Sequence, residues 1–441
     1  MNSLDSLGKW KRIRGLRTLS GVLLAALCGM LPTVGWAEAE HRVRLREAGV
    51  AQQAGQTVQA IERLEMAAAI RPDYPRVQWL LARLYALQER PADAWAALTR
   101  LADFGLFFPM ETDRVFAAWR ADPRWIALSA RFQRNLSPVG NVRMEAESRR
   151  PLVDGIIEAV AVEPGSSRIF LSDVRHRTIW TYSGVSSEPL LERFSVPEDG
   201  LLGVFALKVD PAATTLWVTS SAVPELQSAE KPGAAASRLL AYDLATRRLR
   251  RVWTVPEDGR AHVLGDFALA ADGTVYVSDS ASPILWRLRP GSDELERWVE
   301  SPDFVSLQGL AVSADERSLH VADYGSGLWR IERESGAVVA LSPPAGATLF
   351  GIDGLYAVPG GMLAVQNGVN PQRIIRLALN AGGEVAEVAV LASGHAAMTE
   401  LGLGQVVEGS FLFIGDSGWS RFERGTTQSA SRSLTLLRFD R

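Results

Sequence analysis

Asp266-Phe267-Ala268-Leu269, Thr274-Val275-Tyr276-Val277-Ser278-Asp279 and Ile284-Leu285-Trp286-Arg287-Leu288 follow one another closely in the chain. Each is short and apolar, and turn residues lie between them. Such runs read as antiparallel strands joined by tight connections. The pattern recurs along the chain. The first strand of each set reads Glu158-Ala159-Val160-Ala161-Val162, Phe205-Ala206-Leu207-Lys208-Val209, Asp266-Phe267-Ala268-Leu269, Gln308-Gly309-Leu310-Ala311-Val312, Asp353-Gly354-Leu355 and Leu401-Gly402-Leu403. Aligning these sets puts the leading position at 158, 204, 266, 308, 353 and 401, with spacings of 46, 62, 42, 45 and 48 residues. A period near 45 residues is that of one four-stranded blade. Residues 138–441 are therefore expected to form a six-bladed β-propeller, and the fold class is mainly β. The long spacing holds an insertion around Val223 to Ser237, read as a rim loop.

Second strands support the count. Arg168-Ile169-Phe170-Leu171-Ser172-Asp173, Ser318-Leu319-His320-Val321-Ala322-Asp323 and Phe411-Leu412-Phe413-Ile414-Gly415-Asp416 all end in Asp, as does the run ending at Asp279. These aspartates are expected to hydrogen-bond between blades. Leu434 to Phe439 is read as the last strand, and a strand near Val142 to Glu147 is expected to close the ring against it.

Upstream the character changes. Residues 38–137 are poor in glycine and rich in Ala, Leu, Arg, Glu and Gln, which favour helix. A repeat shows at a spacing of 34: Ala48, Ala51, Ala60, Leu64 and Ala67 map onto Ala82, Tyr85, Ala94, Leu98 and Leu101. This resembles the tetratricopeptide repeat, which places small residues where paired helices approach closely. Such helices imply either a cover for apolar propeller surface or a groove for a protein partner. Asp122-Pro123-Arg124-Trp125 opens a last helix that caps the stack.

Residues 1–37 read as a secretory signal. Lys9, Lys11, Arg12, Arg14 and Arg17 precede a short apolar run, Leu19 to Leu31, and small residues end at Ala37. The run is shorter than the roughly 20 residues that span a bilayer. Cleavage after Ala37 would remove five basic residues and one acidic residue, leaving 42 and 49 and moving the formal charge from −3 to −7. It would also remove Cys28, the one cysteine, and with it any disulfide or thiolate chemistry. The expected location is periplasmic or secreted, with no stable membrane anchor. An acidic chain without a basic run offers no footprint for nucleic acid. No Gly-x-Ser-x-Gly elbow, Walker loop or dinucleotide fingerprint appears.

The stretches Ile157-Glu158-Ala159-Val160, Ile169-Phe170-Leu171-Ser172-Asp173, Leu307-Gln308-Gly309-Leu310 and Ile352-Asp353-Gly354-Leu355 resemble the SMP-30, gluconolactonase and luciferin-regenerating-enzyme family of six-bladed propellers. The resemblance spans roughly Gly155 to Arg441. It implies that Glu158, Gln308 and Asp353 hold one divalent cation, calcium foremost, with Asp353 also the general base that opens a small lactone or ester. Gln308 stands where the family carries Asn. The family's sugar-contacting Arg and Asn would fall at Val263 and Gly265, whose side chains cannot do that work. Asp266 matches a further acidic position, and Asp266, His262 and Trp419 are candidates for contact with substrate in the tunnel. Hard cations prefer such oxygen ligands, and a nearby carboxylate can activate water. The duller reading makes Asp266 and Asp353 turn residues. Two functions stay open: a metal-dependent hydrolase of a small lactone or ester, or a non-catalytic binding or scaffold protein that uses the helices and the propeller rim.

Overall fold

The computed structural model describes residues 35–147, 155–183, 191–227, 237–422 and 435–440. The signal reading falls almost wholly outside the described residues, and the expected cleavage after Ala37 lies within the first helix. The expected rim loop also falls largely outside them.

Five helices come first: α1 Gly35–Gln53, α2 Thr57–Ile70, α3 Pro75–Leu87, α4 Pro91–Asp103 and α5 Pro123–Asn135. Proline opens α3, α4 and α5, where its fixed φ suits a first turn and its missing N–H costs nothing. Asp122 caps α5 by accepting the Arg124 N–H at 2.8 Å. All ten repeat positions, from Ala48 to Leu101, are buried. The alanines let α1 and α2, and then α3 and α4, pack closely. None of the described helices is long and apolar enough to cross a membrane.

Six four-stranded sheets follow, each hydrogen-bonded in antiparallel order. The inner strands are Ile157–Val162, Gly203–Val209, Leu264–Leu269, Leu307–Val312, Gly354–Val358 and Gly404–Val407. They define blades 1 to 6. An apolar cluster fills each junction between blades. Trp253 of blade 2 packs with Phe267 and Trp286 of blade 3, and Leu412 and Ile414 of blade 6 pack with Ile157 and Val160 of blade 1. Val142–Glu147 is the outermost strand of blade 6 and pairs with Thr435–Asp440. Strands from both ends of the propeller thus share one sheet, which closes the ring without a covalent bond.

The helices dock on one face of blades 4 and 5. Tyr74 stacks on Phe350 with ring centroids 4.2 Å apart, and the Arg71 guanidinium lies 4.4 Å from the same ring. Buried Arg373 donates to the Phe104 carbonyl at 2.9 Å and to Gln366 Oε1 at 2.7 Å. Phe107 N–H donates to the Asn370 carbonyl at 2.6 Å. Phe350 lies three residues before Asp353. The helices therefore brace the loop that leads into the inner strand of blade 5.

Candidate functional site

A one-residue bulge marks the inner strand of blades 1 to 4. In blade 1 the register shifts between Ile157, opposite Asp173, and Val160, opposite Leu171. Blade 3 shifts between Leu264, opposite Asp279, and Phe267, opposite Val277. Blade 4 shifts between Leu307, opposite Asp323, and Leu310, opposite Val321. Bulges re-aim side chains, and here they fall on the polar positions read from the sequence. They also correct the alignment. Counting from the paired residues Ile157, Leu264 and Leu307, the equivalents of Glu158 are Gly265 and Gln308. Asp266 sits one residue further on. The reason is steric: a Cβ at Gly265 would collide with Ser280 Oγ and come within 3.3 Å of Gln308 Oε1. Blade 3 supplies its carboxylate from the next position instead. In blade 6 Gly402, rather than Leu401, lies against the Glu158 backbone.

Each of the carboxylates is held differently. Glu158 is buried, and its Oε2 accepts the indole N–H of Trp419. Trp419 in turn lies 6.0 Å from the Phe205 ring of blade 2. Asp353 Oδ2 accepts Asn367 Nδ2 at 2.6 Å. Asp266 is 2 % exposed; its Oδ1 meets Lys208 Nζ at 2.8 Å and the Phe267 N–H at 2.7 Å, while its Oδ2 has no hydrogen-bond partner. Gln308 has both ends of its amide engaged: Nε2 donates to Ser306 Oγ at 3.0 Å, and Oε1 accepts from Ser280 Oγ at 3.3 Å.

Tyr356, on the inner strand of blade 5, accepts the Gly404 N–H of blade 6 at 2.7 Å. Burial pushes its phenol well above the ordinary value, and the charges of Asp266, Asp353 and Glu158 add to the effect. Groups from blades 1, 3 and 5 therefore bear on a single atom. Sequence reading passed over Tyr356 because it falls in an apolar strand.

His262 does not reach the tunnel. Its ring is inside blade 3, 2 % exposed, with Nδ1 2.6 Å from Asp279 Oδ2 and Nε2 2.9 Å from Asp258 Oδ1. Burial opposes the charged ring, but the hydrogen bonds to Asp279 and Asp258 outweigh it and raise the imidazole above its ordinary value. Asp279 also accepts the Trp286 indole N–H at 3.1 Å and the Val263 N–H at 3.0 Å. Asp173 and Asp279, which end second strands, thus bond within their own blades, not between blades. Asp323 does the same with the N–H groups of Val305 and Ser306.

Blade 5 departs from that rule. Val174, Ser280, Tyr324 and Gly368 make equivalent backbone bonds to Ile156, Val263, Ser306 and Gly351. The residues just before them are Asp173, Asp279, Asp323 and Asn367. Gln366 takes over the binding of the incoming loop, through the carbonyls of Thr348 and Phe350. Asn367 is released to donate to Asp353 and to the Leu401 carbonyl. Both acceptors require its NH₂ group, which orients the amide. Its buried Oδ1 is left without a partner. The exchange of Asp for Asn at one repeat position was a signal available in the sequence.

Among the described residues, no group of three or more His, Cys, Asp or Glu side chains is placed to hold a metal ion. A cation site here would have to draw on amide oxygen. Asn367 Oδ1, unpartnered beside Asp353, is such an oxygen, of the hard kind that divalent cations such as calcium take alongside carboxylates. Gln308 fits only if its amide leaves Ser280 and Ser306.

The fold and site define a six-bladed β-propeller with an N-terminal tetratricopeptide-like helical segment. A tetratricopeptide repeat family model matches residues 51–104. No curated protein matches the chain in sequence. Among solved structures, a luciferin-regenerating enzyme is similar at 12% identity and a TM-score of 0.44, over 69% of this chain and 96% of that one. Virginiamycin B lyase from Staphylococcus aureus is similar at 11% identity and a TM-score of 0.44, over 62% and 82%. A nidogen/laminin complex is similar at 14% identity and a TM-score of 0.40, over 53% and 80%.

Proposed function

We propose that this is an exported, divalent-metal-dependent hydrolase of a small lactone or ester, of the SMP-30 and gluconolactonase kind, acting in the propeller tunnel. The observation that carries the reading is the pairing of Asp353 with Asn367, whose buried Oδ1 is left without a partner. Glu158, Asp353 and Asn367 would hold the cation. When bound, a hard divalent cation would polarise the ester carbonyl. Asp353 takes the proton of the attacking water at a carboxylate oxygen, and Asn367 fixes its orientation. Trp419 holds Glu158 in place, and with Phe205 it makes an apolar wall on one side of the mouth.

Calorimetry with calcium tests this on the wild type and on Asp353→Ala. Binding in the wild type that is lost in the variant is expected, together with hydrolysis of simple lactones that stops on chelation. No binding of calcium, manganese or zinc would sink the reading. The second reading, a periplasmic binding or scaffold protein, would then stand. It is favoured by the tetratricopeptide match and by Val43, Val50 and Val58, apolar side chains exposed on α1 and α2.

A further inference from the structure

The loop that carries Asn367 is gripped from two sides. On one side, Asn367 donates to Asp353 and to the Leu401 carbonyl, and Gln372 Oε1 accepts the Leu401 N–H at 2.7 Å. On the other side, Val369 packs against the apolar cluster of the helical segment around Leu98, Phe116 and Phe132. The Asn370 carbonyl accepts the Phe107 N–H from that same segment. Arg373 strengthens the join. It is 2 % exposed, and its guanidinium bridges the Phe104 carbonyl and Gln366 Oε1. Burial lowers the guanidinium to about 10, with no carboxylate to offset this among the described residues. A buried cation held by neutral oxygens costs more than an apolar contact would. What the planar fork supplies instead is orientation, because it fixes two acceptors at once.

The Gln366 amide passes that orientation on. With Oε1 turned to Arg373, Nε2 donates to the Thr348 and Phe350 carbonyls at 3.0 and 2.7 Å. This lays the loop before Asp353 against the loop after Gln366. The two touch at glycines: the Gly368 N–H donates to the Gly351 carbonyl at 3.0 Å, and a Cβ at Gly351 would fall 2.8 Å from the Gly368 Cα. Asp353 lies two residues beyond Gly351, and Asn367 immediately precedes Gly368. We propose that Arg373 is a positioning residue that, with Val369 and Asn370, couples docking of the helical segment to the Asn367–Asp353 pair. The pair keeps its geometry only while the helices are docked. Such coupling is reciprocal, so a ligand that binds the pair would tighten the docking.

Residue-resolved hydrogen exchange on the full chain tests this in the wild type, Arg373→Ala and Leu98→Ala. The second variant opens a cavity in the helical core and leaves blade 5 unaltered. In both variants the Asp353 N–H, bonded to the Val365 carbonyl, and the Gly368 N–H should exchange about tenfold faster. The N–H groups of Val174 and Ser280, which make the equivalent bonds in blades 1 and 3, should keep their wild-type rates. Faster exchange in the helices alone would make Arg373 a simple anchor and overturn the coupling. Faster exchange in all blades alike overturns it too. Should Arg373→Ala fail to fold, Leu98→Ala decides. A calcium titration gives a second readout, and this arm rests on the proposed metal site. If the wild type binds, both variants should bind about tenfold more weakly, and unchanged affinity overturns the coupling. A wild type that binds no cation rejects the metal reading, and the exchange rates still decide the coupling.

Discussion

Blade 3 and the tunnel each bury carboxylates, and they do so by opposite rules. In blade 3, both nitrogens of His262 have a carboxylate partner, and Asp279 also holds an indole and backbone N–H groups. Around the tunnel, the charges of carboxylates from three blades raise one phenol, and Asp266 Oδ2 and Asn367 Oδ1 go without partners. A satisfied buried network locks a fold in place, whereas an unsatisfied one costs stability unless a ligand completes it. The first cluster is therefore read as structural and the second as a site.

The comparison breaks most readily at His262. Replacing it with Ala would leave the buried Asp279 carboxylate without the ring that meets its Oδ2. A loss of about 3–5 kcal/mol is expected in urea unfolding. A loss below about 1 kcal/mol would mean the cluster does not hold blade 3.

The same histidine predicts a pH dependence. Its folded pKa lies above the ordinary 6.5, so its stabilising effect is complete below 6.5 and fades as pH rises through the higher folded value. His41 and His320 act in the opposite direction. Burial lowers each to about 4, so the folded form prefers them neutral and stability falls as pH drops from 6.5 toward 4. Urea midpoints of wild type and His262→Gln between pH 6 and 9 separate the two. The wild type should lose stability on the alkaline side, and the variant should lose much less of it.

Smaller effects are expected at the docking face and in the tunnel. Arg373→Ala removes a buried cation that joins Phe104 of the helical segment to Gln366 of blade 5. About 1.5–3 kcal/mol should be lost, with faster proteolysis of the helices. An unchanged cleavage rate would show that the helices are held by Tyr74 and Phe350 instead. Tyr356→Phe should cost about 1–3 kcal/mol, since it leaves the buried Gly404 N–H without its acceptor. A much larger loss would move Tyr356 to the structural side of the comparison.

Much of this architecture was legible in the chain. Alternating apolar runs at a period near 45 residues encode blades, and the spacing of 34 with its alanines encodes paired helices, because both are short-range packing rules. Glu158, Gln308 and Asp353 were legible as a set for the same reason: they recur at one step of a repeat. Asp266 was misaligned by one residue, since a bulge changes the count without leaving a mark in the local pattern. His262 looked like a residue near the tunnel because it is close in sequence to the inner strand, yet its partners Asp258 and Asp279 draw it into the blade.

The sequence by itself determined the repeats, the blade number and the helical preface, all of which follow from periodicity and propensity. The tertiary structure alone decided which polar groups meet. Lys208 and Asp266 come from neighbouring blades, Tyr356 meets Gly404 across a junction, and Asn367 meets Asp353 only because Gln366 has taken its usual task. Glu158 and Trp419 meet across 261 positions because the blades are arranged radially, and no local pattern in the chain encodes the direction in which a side chain turns once it arrives.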